Sequence, residues 1–354
     1  MKKYFSPGLS IMFVVTAVCY VLFYLRPDLA FRVQTNGVFA LIRRLYTGMS
    51  SIWVTLLWIL IFISYFKYRH SRGAPPSLFR WIKYLFEPVL WIFTLYFWLW
   101  GFNYLAPRPE HFLLKDTSAP DSRELLEAFH FHTNLVNTLR DSLDLKKEIT
   151  VRDILTTHGE HWQRQTVSTL AQAGYNGSGK PEIQVVRPEG LLLRISTAGF
   201  YNFVLARPTI DPGLHELQVP NTALHELAHA YGVASEASAS FVAYIVGIQS
   251  EDPLTRYSVE LALWRTLRNT CFMVDSAATK TISGFVNPEV KKDIKNIRMK
   301  MDQYPDLFPR LRDSLYDFFL RTQGVEEGLM SYDLYLPLVL SWEKQKKLRE
   351  IKNN

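Results

Sequence analysis

Residues 222–232 read Thr222-Ala223-Leu224-His225-Glu226-Leu227-Ala228-His229-Ala230-Tyr231-Gly232, a pattern that predicts a helix and a chemistry together. Leu224, Leu227, Ala228 and Ala230 are apolar and helix-compatible, as a helix buried against a core requires. On that helix His225 and His229 lie one turn apart and point the same way, so two ring nitrogens can share one tetrahedral Zn²⁺. Glu226 then lies beside the metal, where it can take a proton from a zinc-bound water. The order is HExxH, the spacing of zinc peptidases. Gly232 supplies a helix stop and, by adopting a left-handed conformation, lets the chain turn back.

A third protein ligand is needed, and the nearest candidate is Glu236, seven residues past His229. Residues 235–246 read as the next helix, with Ser235 as its N-cap. An acidic residue in a first turn is also favoured by the helix dipole alone, and Glu251, Asp252 and Glu260 are the other carboxylates within reach.

HELAHAYG followed by Glu236-x-x-Ala239 and Phe241-x-Ala243-Tyr244 resembles the zincins whose third ligand is a Glu in an ExxA-type motif on the next helix. More closely, it resembles a family of bacterial three-span membrane proteins of unassigned function that carry HExxHxxGxxxE. Gly101-Phe102-Asn103-Tyr104, Pro220, Tyr257-Ser258 and Ser331-Tyr332 also match. The family pattern has a second Glu and an Asn where this chain has Ser238 and Ser240. The resemblance implies His225, His229 and Glu236 as zinc ligands and a zincin-like fold.

The rest of the chain divides by composition. Leu9–Leu25, Ser51–Phe66 and Pro88–Tyr104 are uncharged and rich in large apolar residues. The first exceeds the usual apolar core of a signal peptide and has no convincing cleavage site, so it reads as a retained anchor. The other two are slightly short, but flanking Tyr, Trp, Lys and Arg complete a span at the interfaces. Residues 1–104 hold 11 Lys and Arg against 2 Asp and Glu, whereas the remaining 250 hold 29 against 31. The basic balance is thus a membrane-topology signal and gives no reason to expect nucleic acid. Lys2, Lys3, Lys67, Arg69, Arg72, Arg80 and Lys83 outnumber Arg26, Arg32, Arg43 and Arg44 on the other side. The positive-inside rule then puts the N-terminus in the cytoplasm and, after three spans, the C-terminal domain outside it. Cys19 and Cys271, one in a span and one in the domain, do not predict a disulfide.

Residues 105–121, with Pro107, Pro109 and Pro120, read as a linker. Helical periodicity follows over 122–143, 151–173, 254–273, 291–301, 307–321 and 332–352. Residues 182–186 and 191–196 read as a strand pair joined by Arg187-Pro188-Glu189-Gly190. The loop Asn176-Gly177-Ser178-Gly179 has no Walker-type continuation. His130, His132, His158 and His161 lack a third ligand at short range and read as solvated or partnered histidines. His215 and Glu216, with Tyr231, Tyr244, Tyr257 and Tyr332, are candidates to approach the metal or donate to an oxyanion. The cations of 343–349 suit a solvated helix end.

The expected fold is a mainly α membrane protein: spans at about 9–25, 51–66 and 88–104, then a mostly helical zincin-like domain over 122–354 with a small β-sheet. The expected function is a membrane-anchored zinc metallopeptidase with Glu226 as general base, acting on a protein or peptide outside the cytoplasm. The alternative is a non-catalytic envelope interaction or assembly protein, in which zinc only fastens two helices and four protein ligands close the site.

Overall fold

The computed structural model describes residues 7–71, 78–144, 149–307, 309 and 335–353. The expected helix over 307–321, and Lys2, Lys3, Arg72, Ser331 and Tyr332, fall wholly or mostly outside them. The chain is mainly helical and divides into two compact units. One comprises residues 1–107 with 178–181 and 202–207, and the other holds 108–177, 182–201 and 208–354.

In the first unit, α1 (Pro7–Leu25) leaves Ile11, Val14, Val18, Val21 and Leu22 exposed. Its residues Gly8–Leu25 are long and apolar enough to cross a membrane. The other two expected spans pass only as parts of bent helix pairs. Pro27–Tyr46 and Ser51–Tyr65 pass the same test only together, at 111° to one another, and so do Phe86–Leu99 and Gly101–Leu113, at 51°. The chain therefore has one straight candidate span, or up to three if each bent pair is one.

Within the first pair, residues Ala30–Phe39 form a π-helix that leads into α2 (Ala40–Tyr46). After it come α3 (Ser51–Ser71) and α4 (Leu78–Leu99). The wide helix turns Gln34 and Thr35 inward, where they bond the Trp98 carbonyl at 2.8 Å and Asn103 Oδ1 at 2.9 Å. Both contacts satisfy polar groups that would be costly to bury alone. Phe23 meets Phe102 edge to face and Phe97 meets it at a tilt, in one buried cluster with Ala30 and Ala106. The segment 202–207 belongs to this unit through Trp58 Nε1, which donates to the Val204 carbonyl at 3.2 Å, and through the edge-on contact of Phe203 with Tyr96.

The second unit opens with α5 (Glu110–Leu113), a short helix inside the stretch expected to be linker, and it buries Glu110. Capping boxes start the next two helices. Asp121 with Glu124 begins α6 (Ser122–Asp141), and Thr150 with Asp153 begins α7 (Val151–Ala171). Beyond the sheet come α8 (Val219–Ala230), α9 (Glu236–Ile248), α10 (Pro253–Val274), α11 (Ser276–Gly284), α12 (Pro288–Met301) and α13 (Tyr335–Asn353). Helix α9 is buried along nearly its whole length, and Gly247 lets it approach α10 at Val259. Trp162, Phe129, Leu224 and Leu227 are buried in the same unit, as are Phe241 and Val242 of α9 itself.

The sheet corrects the expectation. Its strands are β1 (Gln184–Val185), β2 (Gly199–Asn202) and β3 (Arg207–Ile210), in the order β1-β3-β2, with β1 parallel to β3 in the register Gln184 to Thr209. Residues 191–196 are not a strand, and Leu193–Ile195 form a 3₁₀ turn instead. The buried Asp211 carboxylate accounts for this. It accepts from the backbone N–H groups of Gly190, Leu192 and Leu193 at 2.7, 2.7 and 3.3 Å, which removes those donors from any ladder.

Candidate metal centre

Helix α8 begins with Pro220 in its first turn and ends as Gly232 requires. Gly232 has φ +100°, and the Val233 N–H reaches back to the Ala228 carbonyl at 3.2 Å. This is a Schellman-type reversal, which a glycine makes without steric penalty. Ser235 then caps α9 and leaves Glu236 as its first residue. The reversal brings Glu236 back over the face that carries His225 and His229.

The three side chains converge. Glu236 Oε2 lies 3.0 Å from His225 Nε2 and 3.4 Å from His229 Nε2, and the two Nε2 atoms are 3.0 Å apart. Their outward nitrogens are engaged elsewhere. His229 Nδ1–H donates to the Val233 carbonyl at 2.6 Å, which can only accept, so the Nε2 of a neutral His229 ring is a bare lone pair. His225 Nδ1 lies 3.1 Å from Ser240 Oγ, a hydroxyl that can pair with either tautomer. A tetrahedral ion bonded at about 2.0–2.1 Å holds its ligands about 3.3–3.4 Å apart; the Glu236–His229 side matches at 3.4 Å and the other two, at 3.0 Å, are a few tenths shorter. His225, His229 and Glu236 are also the group of metal-type ligands found among the described residues. The donor set, two imidazoles and one carboxylate, suits zinc.

Charge at this point is strongly perturbed. Burial alone would raise the Glu236 carboxyl, but His229 and His225 hold it well below the usual carboxylate range. Burial works against a charged His229, yet Glu236 beside it lifts it to about 9. Both shifts have one cause, the pairing of a protonated His229 with the Glu236 carboxylate. Glu226 differs. Burial pushes its carboxyl up to about 7, with the two imidazoles opposing and Glu236 adding to the rise. Its Oε2 is buried and has no hydrogen-bond partner among the described residues.

The other carboxyl oxygen of Glu226 is walled by β2. A Cβ at Gly199 would lie 3.1 Å from Glu226 Oε1, 3.0 Å from its Cγ and 2.9 Å from the Thr209 carbonyl oxygen. Only glycine lets the strand pass this close. Nothing in the sequence around Gly199 distinguishes it from any other loop glycine, because its neighbour is 27 residues away in the chain.

Several of the other candidates are engaged elsewhere. Asp252 caps α10 through the Thr255 N–H at 2.8 Å, and Glu260 lies against His132 at 2.7 Å. Tyr244 bonds Glu343 at 2.9 Å and Tyr257 bonds Asp293 at 2.8 Å, so both hydroxyls are committed away from the metal group. His215 Nδ1 accepts from the Leu217 N–H at 3.3 Å, which caps a 3₁₀ turn. His158 stacks on Trp162.

These features define a mainly helical protein with an apolar N-terminal helix, up to two further bent spans and a His-His-Glu group in which His229 and Glu236 are buried and His225 is half-buried. The chain belongs to the family described as "Protein of unknown function (DUF3810)", whose profile matches residues 36–340. No curated protein and no solved structure matches it.

Proposed function

We propose that this protein is a membrane-anchored, zincin-like zinc metallopeptidase, or less specifically a metal-dependent amide hydrolase, acting at the outer face of the membrane behind three spans in residues 1–104. His225, His229 and Glu236 would hold the ion. Bound zinc would supply Lewis acidity, polarising a scissile carbonyl and acidifying a water near neutral pH.

The observation that carries this reading is Glu226. It is a carboxylate buried beside three converging ligand atoms, and one of its oxygens has no hydrogen-bond partner among the described residues. A site that only fastened two helices would gain nothing from this costly group, since a leucine would serve the helix as well. A general base needs an oxygen without a competing partner to take a proton, and the other oxygen of Glu226 lies close to β2 at Gly199. Glu226 would deprotonate the attacking water and return the proton to the leaving amine. His225 and His229 are oriented by Ser240 and by the Val233 carbonyl, so their Nε2 atoms stay aimed at one point.

The test is Glu226→Gln, which keeps shape and ligands but removes the base. Zinc content should stay near one per chain. Newly formed N-termini among envelope proteins, compared between cells carrying wild type and variant, should disappear with the variant. Identical cleavage products from both would overturn the proposal.

A further inference from the structure

We propose that Glu110 is a positioning residue for this centre: it holds the first turn of α9 and, through it, the carboxylate of Glu236. The inference rests on the zinc reading above. Glu236 is the first residue of α9, and a side chain there goes where the first turn points it. Two contacts steady that turn. Along the helix, the Ser235 hydroxyl accepts the Ser238 N–H at 3.4 Å, a long bond. From the side, the Ser238 hydroxyl donates to Glu110 Oε1 at 3.0 Å. Ser238 is fully buried and Glu110 is 4% exposed, so this second contact is a charge-assisted hydrogen bond kept out of water.

Glu110 comes from α5, 128 positions earlier in the chain. Its carboxylate meets the first turn of α9, the positive end of the helix dipole, where a negative charge is favoured. Its second oxygen, Oε2, is buried without a hydrogen-bond partner among the described residues. Burying a carboxylate with only one oxygen satisfied is unfavourable. The contact it does make ends two residues after Glu236, which gives the burial a use. Glu236 must lie between two imidazoles at 3.0 and 3.4 Å, and a small rotation of the first turn would open that triangle.

The experiment uses the full chain in detergent and two readouts: zinc affinity by competition with a chromogenic chelator, and the absorption spectrum of the Co²⁺ form. Glu110→Ala should weaken zinc binding about 10–100-fold and move the Co²⁺ spectrum toward that of Glu236→Ala. Glu110→Gln keeps an acceptor for Ser238 and should recover most of the affinity. Ser238→Ala removes one hydroxyl and should reproduce the Glu110→Ala loss, with no further loss in the double variant. Wild-type affinity and spectrum in Ser238→Ala, or equal losses in Glu110→Gln and Glu110→Ala, would overturn the proposal. A wild-type chain that binds no zinc would overturn the zinc reading and this inference together, whereas tight wild-type binding with an unaffected Ser238→Ala overturns this inference alone.

Discussion

The Nε2 atoms of His225 and His229 face one another at 3.0 Å while their Nδ1 atoms are occupied by Ser240 and the Val233 carbonyl. With neither a proton nor a metal ion between them, two lone pairs at that distance would repel, and Glu236 adds a third acceptor at 3.0 Å. A cation bound there would relieve the repulsion and tie α8 to α9 in the folded chain only. With zinc at 100 times its dissociation constant, the folded state should gain about 2.7 kcal/mol. Chelation should therefore lower the melting temperature of wild type and leave His229→Ala unmoved. Equal melting of the wild type with and without chelator would contradict the assignment.

Ser240→Ala tests the outer support of His225. The hydroxyl is the partner that fixes the His225 ring, and loss of such a partner weakens metal affinity about 10–100-fold in comparable sites. The helix itself should survive, because alanine is the better helix former. Chelator competition with the purified chain reads the shift, and an unchanged affinity would show that the ring is held by packing alone.

Gly199→Ala tests the wall behind Glu226. The new methyl group would press on the Thr209 carbonyl and on Glu226, so either β2 moves or the carboxylate does. Overpacking of this kind costs about 1–3 kcal/mol. Zinc content should be retained, since His225, His229 and Glu236 are not touched, while cleavage falls as it does in Glu226→Gln. A fully active Gly199→Ala chain would separate the wall from the chemistry.

The parts of this site that could be read from the sequence are those made by short-range geometry. His225 and His229 meet because one helical turn separates them, and Glu236 joins them because Gly232 permits the reversal that precedes α9. Gly199, Glu110 and the Ser240 contact could not be read, because each depends on where a distant element lands. The same limit explains the sheet. Residues 191–196 carry the right apolar residues for a strand, but Asp211 takes their donors, and the true strand β3 contains Pro208, which reads as a breaker. The 51° bend that divides the third apolar region leaves no mark in hydropathy, since a broken span is as apolar as a straight one.

The last expectation concerns pH and a second buried group, away from the metal centre. His132 on α6 is fully buried between Glu260 Oε1 at 2.7 Å and Glu343 Oε2 at 3.2 Å, one carboxylate to each ring nitrogen. The Tyr244 hydroxyl joins them, 2.9 Å from Glu343 Oε1 and 3.3 Å from Glu260 Oε2, so α6, α9, α10 and α13 meet in one ring of contacts. Two acceptors on two ring nitrogens require the imidazolium. Burial opposes that charge, but Glu260 and Glu343 lift His132 to about 10, and His132 in turn holds Glu343 below the usual range against its own burial. An unfolded histidine titrates near 6.5. The folded value is therefore the higher one, so the stability this group contributes is complete below about pH 6.5 and declines as pH rises through about 10. Glu343 has the opposite sign: its contribution is present above about pH 4.3, the unfolded value, and is lost as pH falls through its lowered folded value. Glu343→Gln should lower stability near neutral pH, by up to roughly 3–5 kcal/mol if it behaves as a broken buried pair. It should also flatten the alkaline decline, because His132 loses one of the charges that raise it. Unfolding measured from pH 5 to 10 in both chains checks this, and parallel curves would show that His132 does not carry the charge assigned to it.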